Sequence, residues 1–167
     1  MQPEEAIRSI LVTVIGAAFM FLIQPWLYQN TFMTPNDVTA DVWVQTHYIH
    51  AATLTFSAAV VCQVIWYLLA IRFNTRGDDR KIQEQRVPWL ILLLITLAIA
   101  GIAIYIFNVM GGTIQGTSAD ALLSLIGFFF VDVLLVYWLA TAISTPGLLK
   151  FIPLGSVFIR RYLLKLR

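Results

Sequence analysis

The chain has 167 residues, enough for one domain, and 59% of them are hydrophobic against 12% charged. Soluble domains carry roughly 25% charged residues, so this chain cannot cover a water-facing surface of its size, and the missing polar surface must face lipid. The net charge of +2 is too small to direct partner choice and gives no basis for binding nucleic acid. A single cysteine, Cys62, excludes a disulfide framework or a multi-cysteine metal site within one chain.

The N-terminal run Pro3-Glu4-Glu5 is a helix-start pattern, with acidic side chains at the positive end of the helix dipole. The first apolar stretch covers 7–28 and ends Gln24-Pro25-Trp26 without a small-residue cleavage site. It reads as a retained helix rather than a signal peptide. Pro25, in its last turn, is expected to kink or end it. The second stretch covers 46–71, and its helix can begin as early as Thr39. The third covers 87–108, with Pro88 as a first-turn proline. The fourth covers 120–144 and is stopped by Pro146-Gly147. Each stretch has the roughly 20 residues needed to cross a ~30 Å hydrocarbon core at about 1.5 Å per residue. The runs are continuous rather than alternating, which selects helices over barrel strands. The expected fold class is therefore all-α: an integral membrane four-helix up-down bundle over 1–145, followed by a C-terminal amphipathic basic tail over 146–167.

Charge placement sets the orientation. Arg8 precedes the first stretch; Arg72, Arg76, Arg80, Lys81 and Arg86 separate the second and third; Lys150, Arg160, Arg161, Lys165 and Arg167 follow the fourth. The loops Gln29 to Gln45 and Val109 to Ser118 hold no Lys or Arg. The positive-inside rule then places both termini in the cytoplasm, which requires an even number of spans. The loop between the second and third stretches also holds Asp78, Asp79 and Glu84, and reads as a solvated connector or a contact for a cytoplasmic partner. Trp26 and Trp43 fall near the outer boundary, and Trp66, Trp89 and Trp138 near the inner one, as an aromatic belt requires. In the tail, apolar residues from Phe151 to Leu166 alternate with basic ones, and from Gly155 onward a short amphipathic helix is expected on the inner leaflet. Arg160, Arg161, Lys165 and Arg167 would there meet anionic head groups; docking against another subunit is the competing reading.

Asp132 is the most unusual residue. It stands in Phe128-Phe129-Phe130-Val131-Asp132-Val133, near the middle of the fourth stretch, where a carboxylate costs at least ~2.5 kcal/mol on insertion scales. It is a candidate proton or ion site, or a buried interhelical hydrogen bond. As a neutral acid it would donate to a neighbour such as Ser57 or Thr55 on the second helix. His47 and His50 share one face of a helix and can begin a metal or haem site. The sequence offers no further histidine, only Asp37, Asp41 and Asp120 to complete such a site. No cofactor is required by the sequence, and the bland reading of the pair is polar side chains at the interface. Ala51, Thr55, Ala58, Ala59 and Cys62 form a small-residue stripe on the second helix, and Gly101 with Ala98, Ala100 and Ala103 does the same on the third. The outer loop Val109 to Ser118 is glycine- and threonine-rich, as short turns between spans commonly are.

No phosphate-binding loop, HExxH, CxxC or nucleophile elbow is present. The expectation is a small non-enzymatic membrane subunit or assembly factor of a larger complex. Its partners would be membrane lipids and either other membrane subunits or copies of itself. Its place would be a bacterial inner membrane or an internal energy-transducing one. A homo-oligomeric channel or small transporter using Asp132 is the second expectation, and a metal or haem protein using His47 and His50 the third.

Overall fold

The computed structural model describes residues 3–30, 39–73, 79–110 and 119–163. Among them the chain is all-helical, with no strand. Four helices are long and apolar enough to cross a membrane: α1 (Glu4–Asn30), α2 (Ala40–Arg72), α3 (Arg80–Met110) and α4 (Leu122–Ser144). A 3-10 turn, Gly147–Phe151, and a short helical segment over 156–163 follow α4.

α2 touches the other three long helices and packs most extensively along α3. The first half of α4 lies against α3 and its second half against α1. Small side chains make the α2 contacts possible: Ala51, Ala52, Thr55, Ala59 and Cys62 are buried on α2, facing an interior to which α3 contributes Thr96, Ala100 and Ala103. Ala58 is half-buried. Gly101 departs from the expected stripe, because it faces outward and a Cβ there would meet nothing within 4 Å. The close approach is instead at Gly16 on α1, where an added Cβ would stand 2.6 Å from Val136 Cγ2 on α4.

Pro88 lies in the first turn of the helical piece Arg86–Ile104, as expected, whereas Pro25 departs from the expectation of an end. Pro25 does not end α1, which runs on to Asn30. The turn before it, Phe19–Ile23, widens into a π-helix, and the Gln24 N–H reaches back five residues to the Phe19 carbonyl. At the start of α3, Pro88 has no N–H to give to Glu84, and Gln85 stands as a turn residue between two helical pieces, Asp79–Glu84 and Arg86–Ile104. Each of the other long helices also holds one π-helical turn: Val44–Tyr48, Tyr105–Met110 and Leu134–Leu139.

The tryptophans mostly turn inward. Trp43, Trp66 and Trp89 are buried, and only Trp26 stands well exposed, at 58%. Trp66 Nε1 donates to Thr145 Oγ1 at 2.8 Å and Trp89 Nε1 to Thr141 Oγ1 at 3.1 Å, so these rings tie α2 and α3 to the end of α4. An indole N–H needs an acceptor wherever it is buried, and the threonines of Ala140-Thr141-Ala142-Ile143-Ser144-Thr145 supply two.

The tail is held by α4. Gly147 (φ 64°) and Gly155 (φ 74°) take left-handed conformations that bend the chain back. Trp138 Nε1 donates to the Leu154 carbonyl at 2.8 Å. Arg160, expected to face lipid head groups, is buried and donates from Nε to the Ala142 carbonyl and from a terminal nitrogen to the Thr145 carbonyl, both at 2.8 Å. These are carbonyls at the C-terminal end of α4, which lack intrahelical partners and carry the negative end of the dipole. Burial pushes the Arg160 guanidinium below its ordinary range, and the Glu5 charge partly restores it. Arg161 is exposed, while Lys165 and Arg167 lie outside the described residues. Charge-assisted hydrogen bonds contribute about 1.5–3 kcal/mol each. Arg160→Ala is therefore expected to raise the rate at which a protease cuts between 146 and 163 in the folded protein by at least about tenfold. Arg161→Ala should leave that rate unchanged; equal rates for the two variants would show that the Arg160 contacts do not hold the tail.

Candidate functional site

Asp132 lies 1% exposed on α4, among buried aromatic rings. Its partner is neither Ser57, which is exposed, nor Thr55, which is buried with no hydrogen bond to Oγ1 among the described residues. It is Gln24 of α1, whose Nε2 donates to Asp132 Oδ1 at 2.6 Å. Gln24 Oε1 in turn accepts from the Tyr48 hydroxyl of α2 at 2.5 Å, and the Met20 carbonyl lies 2.8 Å from the same hydroxyl. Three helices thus meet in one polar chain, Asp132–Gln24–Tyr48–Met20.

Local sequence explains why the Met20 carbonyl is available. Its ordinary helical donor, the Gln24 N–H, is turned to Phe19 in the π-helical turn. The next residue, Pro25, has no N–H to offer. The carbonyl is left for a side chain, and Tyr48 takes it. Tyr48 itself ends the π-helical turn Val44–Tyr48 of α2. Wide turns of this kind recur at functional sites because they redirect side chains and release backbone acceptors.

The chain is walled by aromatic rings. Tyr28 stands edge-on to Trp43 with centroids 4.9 Å apart and to Phe128 at 5.6 Å, and Tyr48 edge-on to Phe129 at 5.8 Å. Tyr28 shares a side-chain hydrogen bond with Ser124. Asp132 Oδ2 is buried without a hydrogen-bond partner among the described residues, as is Trp43 Nε1. Orphaned polar atoms at this depth are rare, and a carboxyl oxygen is the costliest kind to leave so.

A second polar cluster sits toward the other end. Gln63 Nε2 donates to Ser9 Oγ at 2.7 Å and to Tyr67 Oη at 3.3 Å, and Thr13 Oγ1 donates to Gln63 Oε1 at 3.3 Å. The Tyr67 and Ser144 hydroxyls are 2.5 Å apart, and both donate toward the Ala140 carbonyl. Ser9, Thr13, Gln63 and Tyr67 also floor a groove of about 240 Å³ between α1 and α2. These residues satisfy one another and join α1, α2 and α4; sequence reasoning passed over them because Gln63 and Ser9 lie within otherwise apolar runs.

Among the described residues the histidines are not brought together with other ligands. His47 Nδ1 is 2.8 Å from the Phe107 carbonyl, and the exposed His50 ring stacks on the Phe107 ring at 5.8 Å. Asp41 accepts from Gln29 at 2.8 Å instead. Asp37 lies outside the described residues, as does the side chain of Asp120. Among the described residues no three His, Cys, Asp or Glu groups converge on a metal position. Cys62 is buried on α2.

One outward feature completes the picture. An apolar groove of about 350 Å³ runs between α3 and α4, lined by Leu97, Ala100, Gly101 and Ile104 on one side and by Ile126 and Phe130 on the other. Comparison with protein-family models, curated proteins and solved structures finds no match.

Proposed function

We propose that the chain is a multi-pass integral membrane protein serving as a non-enzymatic subunit or assembly factor of a larger membrane complex. Its four long helices would cross the bilayer in alternating directions with both ends on the cytoplasmic side. Large apolar side chains stand exposed along all four, from Ile10 and Ile15 to Leu94, Ile95, Ile126 and Phe130, far beyond what a water-facing surface tolerates. Alternation is supported by the partners along the helices: Ser9 meets Gln63 and Gln24 meets Tyr48, so residue numbers rise along α1 as they fall along α2.

The observation that carries the subunit role is the α3–α4 groove. In lipid, helices associate through close packing rather than through a hydrophobic drive, and a glycine on an open face is where a second backbone approaches. Gly101 offers such a face, since a Cβ added there would meet no atom beyond its own helical backbone within 4 Å. The occupant this shape suits is a transmembrane helix of another subunit.

The test joins native size to that position. The protein would be extracted in mild detergent, separated natively and analysed by mass spectrometry, with a photo-crosslinking residue at position 101 in a parallel sample. Co-migration with a different chain at fixed ratio, crosslinked through position 101, is the expected result. A homo-oligomer joined through the same position would favour the channel or small-transporter reading, which rests on the orphaned oxygen of Asp132. A lone monomer with only lipid adducts would overturn both.

A further inference from the structure

We propose that the Asp132–Gln24–Tyr48 chain is a proton-binding site, in which one proton taken up by Asp132 turns the Gln24 amide over and reverses the donor direction along the chain. The inference rests on a count of donors and acceptors and does not depend on the subunit role. As it stands, Gln24 Nε2 donates to Asp132 Oδ1 and Tyr48 donates to Gln24 Oε1, at 2.6 and 2.5 Å. This arrangement suits a carboxylate, which only accepts. A protonated Asp132 must donate, and the only group at Oδ1 able to accept is Gln24 once its amide oxygen faces the acid. The amide nitrogen then faces Tyr48 and donates to its hydroxyl oxygen. The Tyr48 proton needs a new acceptor, and the Met20 carbonyl is already 2.8 Å away. Both states are therefore fully bonded along the chain, and only the Gln24 amide oxygen and nitrogen exchange places between them.

The ligand is a proton for two reasons. First, the site has no countercharge: every Lys and Arg lies at Arg8, between Arg72 and Arg86, or from Lys150 onward. Second, Oδ2 is buried with no hydrogen-bond partner among the described residues, and Asp132 lines neither the α3–α4 groove nor the α1–α2 groove. A metal cation would need several further oxygen ligands and room for them. The titratable groups around Asp132 are the hydroxyls of Tyr28 on α1 and Tyr48 on α2. α3 brings only exposed Tyr105 and the charged residues at its start, and Tyr137 of α4 is engaged with the Trp89 carbonyl. The chain ends on a backbone carbonyl rather than at another carrier. It therefore stores a proton and reports it to α1 and α2, and does not conduct.

The test is infrared difference spectroscopy of the full chain in lipid nanodiscs, titrated from alkaline to acid buffer. Expected is a carboxylic C=O band that grows on acidification and is lost in Asp132→Asn. It should rise together with a shift in a tyrosine band that is lost in Tyr48→Phe. Deuterated tyrosine in the unaltered chain assigns that band to tyrosine without any substitution, so the absence of a tyrosine change stays decisive against the reversal where a variant fails to fold. Carboxyl growth that is identical in Asp132→Asn, and so comes from the other eight acids of the chain, overturns proton binding. A titrating carboxyl band with no accompanying tyrosine change overturns the reversal.

Discussion

Gly16→Leu is expected to force α1 away from α4 and to cost on the order of 3 kcal/mol or more of stability, the upper range for overpacking a tight contact. Even a single carbon at Gly16 would stand 2.6 Å from Val136 Cγ2. Valine is stiff at χ1 and cannot swing aside freely. The separation would propagate, because α1 and α4 also share the Gln24–Asp132 hydrogen bond. Reversible unfolding in mild detergent would measure the loss. Gly127→Leu is the control: it adds the same side chain to an exposed face with nothing within 4 Å, and should stay within about 0.5 kcal/mol of the parent. Equal losses in the two variants would mean that helix α1 does not rest on Val136.

The second large effect is one of sign as much as size. Gln24→Leu should destabilise by about 1–3 kcal/mol, because it leaves both Asp132 oxygens buried without a partner. Asp132→Leu should cost less, since the Gln24 amide keeps its bond from Tyr48. The double variant Gln24→Leu with Asp132→Leu should recover much of what Gln24→Leu loses, because replacing both partners with apolar groups leaves nothing unsatisfied. A strictly additive cycle, measured by the same unfolding experiment, would show that the two side chains are not coupled. Interhelical hydrogen bonds measured in lipid average about 0.6 kcal/mol and reach about 1.7. A coupling above that range would mark the carboxyl rather than an ordinary polar pair.

The four long helices were legible in the sequence because apolar length alone announces them. The stretch at 46–71 pointed to a helix that the structure runs from Ala40 to Arg72, and the possible start near Thr39 was the better reading. Lateral partners were not legible, because nothing within one helix records the register of its neighbour. The sequence offered Thr55 and Ser57 as neighbours of Asp132 on the second helix. On α2 it is Tyr48, nearer the start of that helix, that joins Asp132, and it does so through the long Gln24 side chain. Gln24 was read as the end of an apolar run, next to a proline expected to break the helix. The π-helical turn before Pro25 absorbs the missing donor and carries the helix on, which puts Gln24 inside. The inward direction of Trp66 and Trp89 was not legible for a related reason: an indole suits a lipid boundary and a buried threonine equally well, and it is the threonines on α4 that these two rings meet. Arg160 was read by its charge, whereas its position opposite the last carbonyls of α4 fixes what it does.

The Gln24–Asp132 bond spans 108 residues of chain, and that separation is also an interval of time. At about 5–20 residues per second of synthesis, Gln24 waits some 5–20 s for its acid. Tyr48 is made only 24 residues after Gln24, so it serves as the interim partner, occupying the amide oxygen long before the carboxyl exists. In a chain that pairs its helices as they are made, α1 and α2 would be held together with the Gln24 amide nitrogen still without its acid. The arrival of α4 would end that wait, so that the last helix to be made would decide when the first is committed to its place.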